Sequence, residues 1–137
     1  MANPAAIRTA LETRLKSIQG VHVYKRAPNG FNLPCLVIDR QTAEPEQTFG
    51  NGQFALWKFN VVALVSLAGG YETAQDSLDK LTGVSSTGTV FGAISADSTL
   101  GGVVSFVNVV AWGDDQQMDL TPDLSALGVV FDLEVWA

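Results

Sequence analysis

Cysteine occurs once in this 137-residue sequence, at Cys35, and histidine once, at His22. A single cysteine excludes an intrachain disulfide and a cysteine-based zinc site, and a single histidine leaves an imidazole without a second of its kind. Charge is also scarce. Asp, Glu, Lys and Arg make up 16% of the residues against 47% apolar ones, which is too apolar for a disordered chain and poorer in charged surface than a typical globular one. Bases are missing from the second part: all eight Lys and Arg fall in residues 1–80 beside seven acids, whereas residues 81–137 hold seven acids and no base. With a net charge of −6, the chain does not offer the clustered cations that a simple nucleic-acid binder needs. Unevenness along a sequence need not be unevenness in space, because neighbouring strands mix distant segments. No apolar run approaches the ~20 residues of a membrane span, and "MANPAAIRTAL" lacks the basic start and unbroken apolar stretch of a secretory signal. The expectation is one soluble domain over 1–137, made in the cytoplasm, with no membrane partner.

What is present reads as alternating helices and strands. Asn3 and Pro4 suit a helix cap and first turn, Ile7, Ala10, Leu11, Leu15 and Ile18 recur at helical steps, and Gly20 supplies a stop. "VHVY" (21–24) and "PCLVID" (34–39) read as strands. The polar "QTAEPEQTFGNGQ" (41–53) reads as a long loop or the tip of a long hairpin, and "FALWKFNVVALV" (54–65) as a long strand with one apolar and one mixed face. After Gly69-Gly70, Tyr71, Ala74, Leu78 and Leu81 mark a second helix ending at Gly83, and a short third is expected over Val90–Ala96, capped by Ser86 or Thr87. A strand over 103–112 follows, then a polar loop "GDDQQMDLTPD" (113–123), then a well-alternating strand over 127–135. This order predicts an α+β fold: a mostly antiparallel mixed sheet with two to three helices packed on it.

The strand over 103–112 poses the main question. Val103, Ser105, Val107, Val109 and Ala111 suit packing under helices, but the opposite parity, with Phe106, Val110 and Trp112, is large and apolar. Either a helix covers that second face or a neighbouring subunit does, because a monomer of this size rarely tolerates an apolar patch much above ~600 Å². Catalytic signals are weak. His22 has no second histidine to converge with, and Cys35 between Pro34 and Leu36 reads as a small buried hydrophobe. Asp114, Asp115, Asp119 and Asp123 do not follow calcium-loop spacing and read as a solvated turn; the glycine pairs match no phosphate loop. No enzyme activity, metal or cofactor is expected.

The chain resembles the tail terminator (tail-completion, or minor tail) proteins of long-tailed phages, the lambda-type family, in the order and spacing of its segments. These are the capped helix leading through "LKSIQGVHVYKRAPNGFNLPCLVI", the strand "FNVVALVSLAGG", the helix "YETAQDSLDKLTG" and "GAISADSTLGGVV", with "AQDSLDKL" followed by "ISADSTLGG" the most specific part. The resemblance implies an α+β subunit that forms a ring, usually a hexamer, at the head-proximal end of the virion tail. That ring binds the last ring of the major tail tube protein and stops tube growth. It offers its other face to the head-tail connector or stopper protein, with DNA passing through the lumen without sequence-specific binding. An acidic lumen would repel phosphates in transit. Two other readings stay open: a head-tail connector or stopper itself, and a small ligand-binding α+β domain with a pocket near Cys35 and His22. By composition, Gln47, Phe49 and Gln53 in the first polar segment and Gln116, Gln117 and Met118 in the second are the candidate partner contacts. Phe106, Val110 and Trp112 are the candidate subunit-interface or second-layer residues.

Overall fold

The computed structural model describes residues 4–18, 20–26, 32–47, 53–82, 88–104, 106–113, 116–121 and 124–136. Pro4 opens the first helix, α1 (Pro4–Leu15), where a residue without an N–H forfeits no helical hydrogen bond. Ile7, Leu11 and Leu15 are fully buried along one stripe. Ile18 joins them through a tighter last turn, in which the Ser17 and Ile18 N–H groups donate to the Arg14 and Leu15 carbonyls. The chain then turns at Gly20, whose φ of +83° lies in the left-handed region that glycine enters without a Cβ penalty. The expected cap, Asn3, lies outside the described residues.

The second helix, α2 (Tyr71–Thr82), buries Ala74, Leu78 and Leu81 as its spacing predicts, but Tyr71, the first helical residue, stands at the rim of that stripe and is exposed. Gly83, its expected stop, falls outside the described residues. The third, α3 (Val90–Ser95), is capped by Thr89 and not by Ser86 or Thr87, which also lie outside: the Gly92 N–H donates to Thr89 Oγ1 at 3.0 Å. Asp97 then closes the following turn, accepting from Thr99 Oγ1 at 3.1 Å and from the Gly101 N–H at 2.9 Å. Together α1, α2 and α3 lie on one face of the sheet, with one continuous core beneath them.

Six strands form a single mixed sheet: β1 (His22–Tyr24), β2 (Cys35–Gln47), β3 (Gln53–Ser66), β4 (Phe106–Trp112), β5 (Gln116–Thr121) and β6 (Leu124–Trp136). Their order is β1-β2-β3-β6-β4, with β5 also on β6, and only the β1–β2 pair is parallel. The α+β architecture expected from the sequence is the one observed. Segment 41–53 belongs to the hairpin alternative, since β2 and β3 pair as far as Gln47 with Gln53. Segment 113–123 departs from the expected loop. Within it β5 pairs with Leu124–Gly128 of β6, end to end with β4, which pairs with Phe131–Trp136. Polar composition hid this strand because Gln116 and Gln117 are exposed at the sheet's edge and carry no apolar alternation.

A bulge in β4 overturns one sequence expectation. Phe106 to Val109 pair regularly with Trp136 to Leu133, but Ala111 pairs with Asp132 and Trp112 with Phe131, so Val110 is an extra residue. Because side chains alternate with a period of two, the insertion reverses every later position. Trp112 therefore does not share a face with Phe106. It turns under the helices, with ring centroids 5.7 Å from Phe131 and 6.1 Å from Phe91. Phe106 and Val110 remain outside, 45% and 51% exposed. Truncating Trp112 to Ala is expected to cost about 2–4 kcal/mol in urea-unfolding measurements, and Phe106→Ala less than about 1 kcal/mol, because only the first removes ring packing from the core.

Candidate docking surfaces

The register between the two long hairpins creates the first feature of interest. β3 and β6 pair from Leu56 with Trp136 to Ser66 with Ala126. Beyond Trp136, β3 has no neighbour except β2 among the described residues, so rows Pro45 with Ala55, Glu46 with Phe54 and Gln47 with Gln53 form a two-stranded arm. Beyond Ser66, β6 has no neighbour except β5 among the described residues, and rows Asp119 with Ser125 and Thr121 with Leu124 form a second arm at the opposite end. At about 3.3 Å per residue, the two arms reach some ~50 Å from end to end along the strand direction. Gln47 and Gln53 close the described part of the first arm, while Phe49 and the rest of 48–52 lie outside the described residues. Gln116, Gln117 and Met118 sit at the base of the second arm, opposite Gly128, Leu127 and Ala126. The two candidate groups are thus strand positions at opposite ends of one sheet.

The face turned away from the helices is the second feature. Among the described residues no helix packs on it. At one end Cys35, Val37, Leu64 and Ala126 form a small buried cluster, covered by Tyr24, Leu33 and Val62. Across the middle run two polar rows: Asp39, Asn60 and Asp132, then Lys58, Glu134 and Asn108. Opposite charges face each other between Lys58 and Glu134, the arrangement that favours cross-strand pairing. At the other end Leu56, Trp136 and Phe106 form an apolar row that grows more open toward the edge strand, from buried Leu56 to exposed Phe106. The polar rows were not singled out from sequence, although the mixed second parity of 54–65 was their trace.

Bases are concentrated at the β1 side of the fold. Arg8, Arg14, Lys16, Lys25 and Arg26 belong to α1, β1 and their flanks, where Glu12 is the only acid. Arg8 donates to the Lys25 carbonyl at 3.2 Å, tying the helix to the segment after β1, and Arg14 Nε donates to the Ala93 carbonyl at 2.6 Å. α3, β4, β5 and β6 derive from the part of the chain that has no Lys or Arg. Topology mixes the two parts again, because Arg14 brings α1 against α3 and Lys58 of β3 stands opposite Glu134 of β6.

His22 and Cys35 are register partners in the β1–β2 pair. Cys35 is fully buried and His22 exposed, and burial pushes the Cys35 thiol up to about 11. A thiol so raised is held protonated at neutral pH, the reverse of what an attacking thiolate requires. A hollow of about 630 Å³ lies elsewhere, between α1 and the turn after α3, lined by Ala6, Thr9, Ala10, Thr13, Leu100 and Val103. A smaller one of about 200 Å³ lies near Ile18, Val65 and Lys80. Neither is lined by His22 or Cys35. Among the described residues no group of three or more His, Cys, Asp or Glu is placed to hold a metal ion, and no helix is long and apolar enough to cross a membrane.

No protein-family model matches the chain, and no curated protein matches it. A chain of a solved structure described as the virion of a native gene transfer agent (GTA) particle is similar to it at 15% identity, covering 97% of this chain and 96% of that one, with a TM-score of 0.39. A likeness at that score carries no argument about role.

Cys35 also generates a pH prediction. With the folded value near 11 and an unfolded value of 9.0, the unfolded chain loses this proton first as pH rises. Stability attributable to Cys35 is fully present below pH 9.0 and falls between there and about pH 11. Urea unfolding at stepped pH should show that fall in the native protein and a shallower one in Cys35→Ala.

Proposed function

We propose that the protein is a structural component of a phage virion, a tail terminator whose ring caps the tail tube, stops tube polymerisation and provides the surface for head joining. The observation that carries this reading is the pair of hairpin arms set at opposite ends of one sheet. A capping subunit must hold the tube on one side and the connector on the other, and two arms pointing apart supply a contact element for each.

Further support comes from the segments that resemble the family. "AQDSLDKL" falls on α2, with Ala74 and Leu78 in the core, and "ISADSTLGG" runs from the end of α3 into the turn closed by Asp97. Exposed Gln116 and Gln117 flank the second arm, and the Gln47–Gln53 pair is the last described row of the first. In this role the protein is no enzyme and takes no cofactor. Its place is the head-proximal end of the tail, with the major tail tube protein and a head-tail connector as neighbours and DNA passing through the lumen.

Electron microscopy of tails assembled with and without the protein tests the reading. Its removal should give tails of uncontrolled length that fail to join heads; tails of normal length that still join heads would overturn it.

A further inference from the structure

The geometry points to the hollow between α1 and the turn after α3 as a binding site for a small amphipathic monocarboxylate, whose apolar body lies along α1 and whose carboxylate is held by Arg14. This site stands apart from the capping role and from the two arms. Its volume of about 630 Å³ falls within the ~300–1,000 Å³ of small-molecule sites, and its walls are largely apolar, with Ala6 and Ala10 on one side and Leu100 and Val103 on the other. Two hydroxyls also line it, but neither needs a partner from a ligand. Thr9 Oγ1 donates to the Ala5 carbonyl and Thr13 Oγ1 to the Thr9 carbonyl, each at 3.0 Å, so both donors are satisfied within the helix. The lining residues of α1 run from Ala5 to Arg14, which at about 1.5 Å per residue makes a trough roughly 14 Å long. An unbranched apolar chain fits that shape.

The wall opposite α1 is preformed. Leu100 has a φ of +50°, in the left-handed region, and is followed by Gly101 and Gly102 at +71° and +91°. A leucine is strained there where a glycine is not, and the turn holds it: the Leu100 N–H donates to the Asp97 carbonyl at 3.1 Å and the Gly102 N–H to the Thr99 carbonyl at 3.0 Å. That backbone secures an apolar side chain, buried at the base of the hollow, while Val103 on the same wall is 39% exposed and offers apolar surface to a ligand. Charge then fixes the class of ligand. Arg14 Nε donates to the Ala93 carbonyl, which sets the guanidinium at the rim, and among the described residues its two terminal amino groups have no partner. The Asp97 carboxylate, also in the lining, already accepts from Thr99 Oγ1 and from the Gly101 N–H. Glu12, the acid of α1, is held by Lys16 at 3.6 Å. The uncommitted charged group is therefore a guanidinium, whose planar fork matches a carboxylate with two parallel hydrogen bonds. A cationic ligand finds no such partner, and an uncharged one leaves the fork unused.

Titration calorimetry of the intact protein with sodium decanoate tests the assignment, with decanol and decylamine as probes of the same chain length. Decanoate should bind saturably, one per chain and about tenfold or more tighter than either of the others. Rising salt should weaken decanoate and leave decanol unchanged. Thr9→Trp, at an exposed position on α1, should fill the hollow and abolish binding, whereas Thr9→Ala should leave affinity as it is, because that hydroxyl serves its own helix. Arg14→Gln should lower decanoate affinity to that of decanol. Since this variant also loses the tie to Ala93, unchanged decanol binding by it shows that the hollow is still formed. Absence of saturable binding, decanol or decylamine binding as tightly as decanoate, or full binding by Thr9→Trp would each overturn the proposal. So would a decanoate affinity that falls as protein concentration rises, the sign that a second copy occupies the hollow instead.

Discussion

The antiparallel pairing of β3 with β6 is the constraint on which the rest of the molecule depends. It joins two hairpins that are each local in sequence, β2–β3 and the broken strand β4/β5 with β6, and it alone makes them one sheet. On its helix-facing side it sets Phe59, Val61, Ala63 and Val65 beside Leu133, Phe131, Val129 and Leu127, all buried, and these are the floor on which α1, α2 and α3 pack. A slip of one residue in this register would turn one strand's apolar set to the other face and bring either Lys58 and Asn60 or Asp132 and Glu134 under the helices. The register is therefore held by the cost of its nearest alternative. The same register, staggered at both ends, leaves each hairpin projecting, so fold and arms share one cause.

How much of this was legible in the sequence depended on whether local chemistry was left undisturbed by tertiary context. α1 and α2 were legible because their stripes at Ile7, Leu11 and Leu15 and at Ala74, Leu78 and Leu81 are both periodic and buried. β6 was legible because it alternates without interruption, and the structure merely lengthens it to Leu124–Trp136. β5 was not, since QQMDLT holds only two apolar residues and offers no alternating run to read. Trp112 was misplaced because a bulge has no signature in FVNVVAW: only the partner strand, with one residue opposite two, reveals that Val110 is extra. The cap of α3 is Thr89 because it directly precedes the first helical residue, Val90, which places its hydroxyl within reach of the Gly92 N–H.

For the candidate contacts, composition identified polar segments but not their geometry. That Gln47 and Gln53 face each other across one arm while Gln116 and Gln117 stand at the other end is a property of the pairing register, which involves residues some sixty to eighty positions apart. The charge imbalance was plain in the sequence, yet its meaning hinged on topology. Pairing of β3 with β6 sets Lys58 opposite Glu134 and the packing of α1 brings Arg14 to α3, so the base-rich and base-free parts of the chain meet within the subunit.

The two polar rows on the bare face carry a further consequence. A second sheet laid flat over that face would have to strip water from Asp39, Asn60, Asp132, Lys58 and Glu134 together, and the Oδ1 of Asn60 is already buried without a hydrogen bond. Dry sandwich packing is thus closed to this surface, although its two ends are apolar. The seam works as a wet spacer: a neighbour laid over this face would find its apolar footholds at the two ends, around Val37 and Leu64 and around Trp136 and Phe106, with water kept between them.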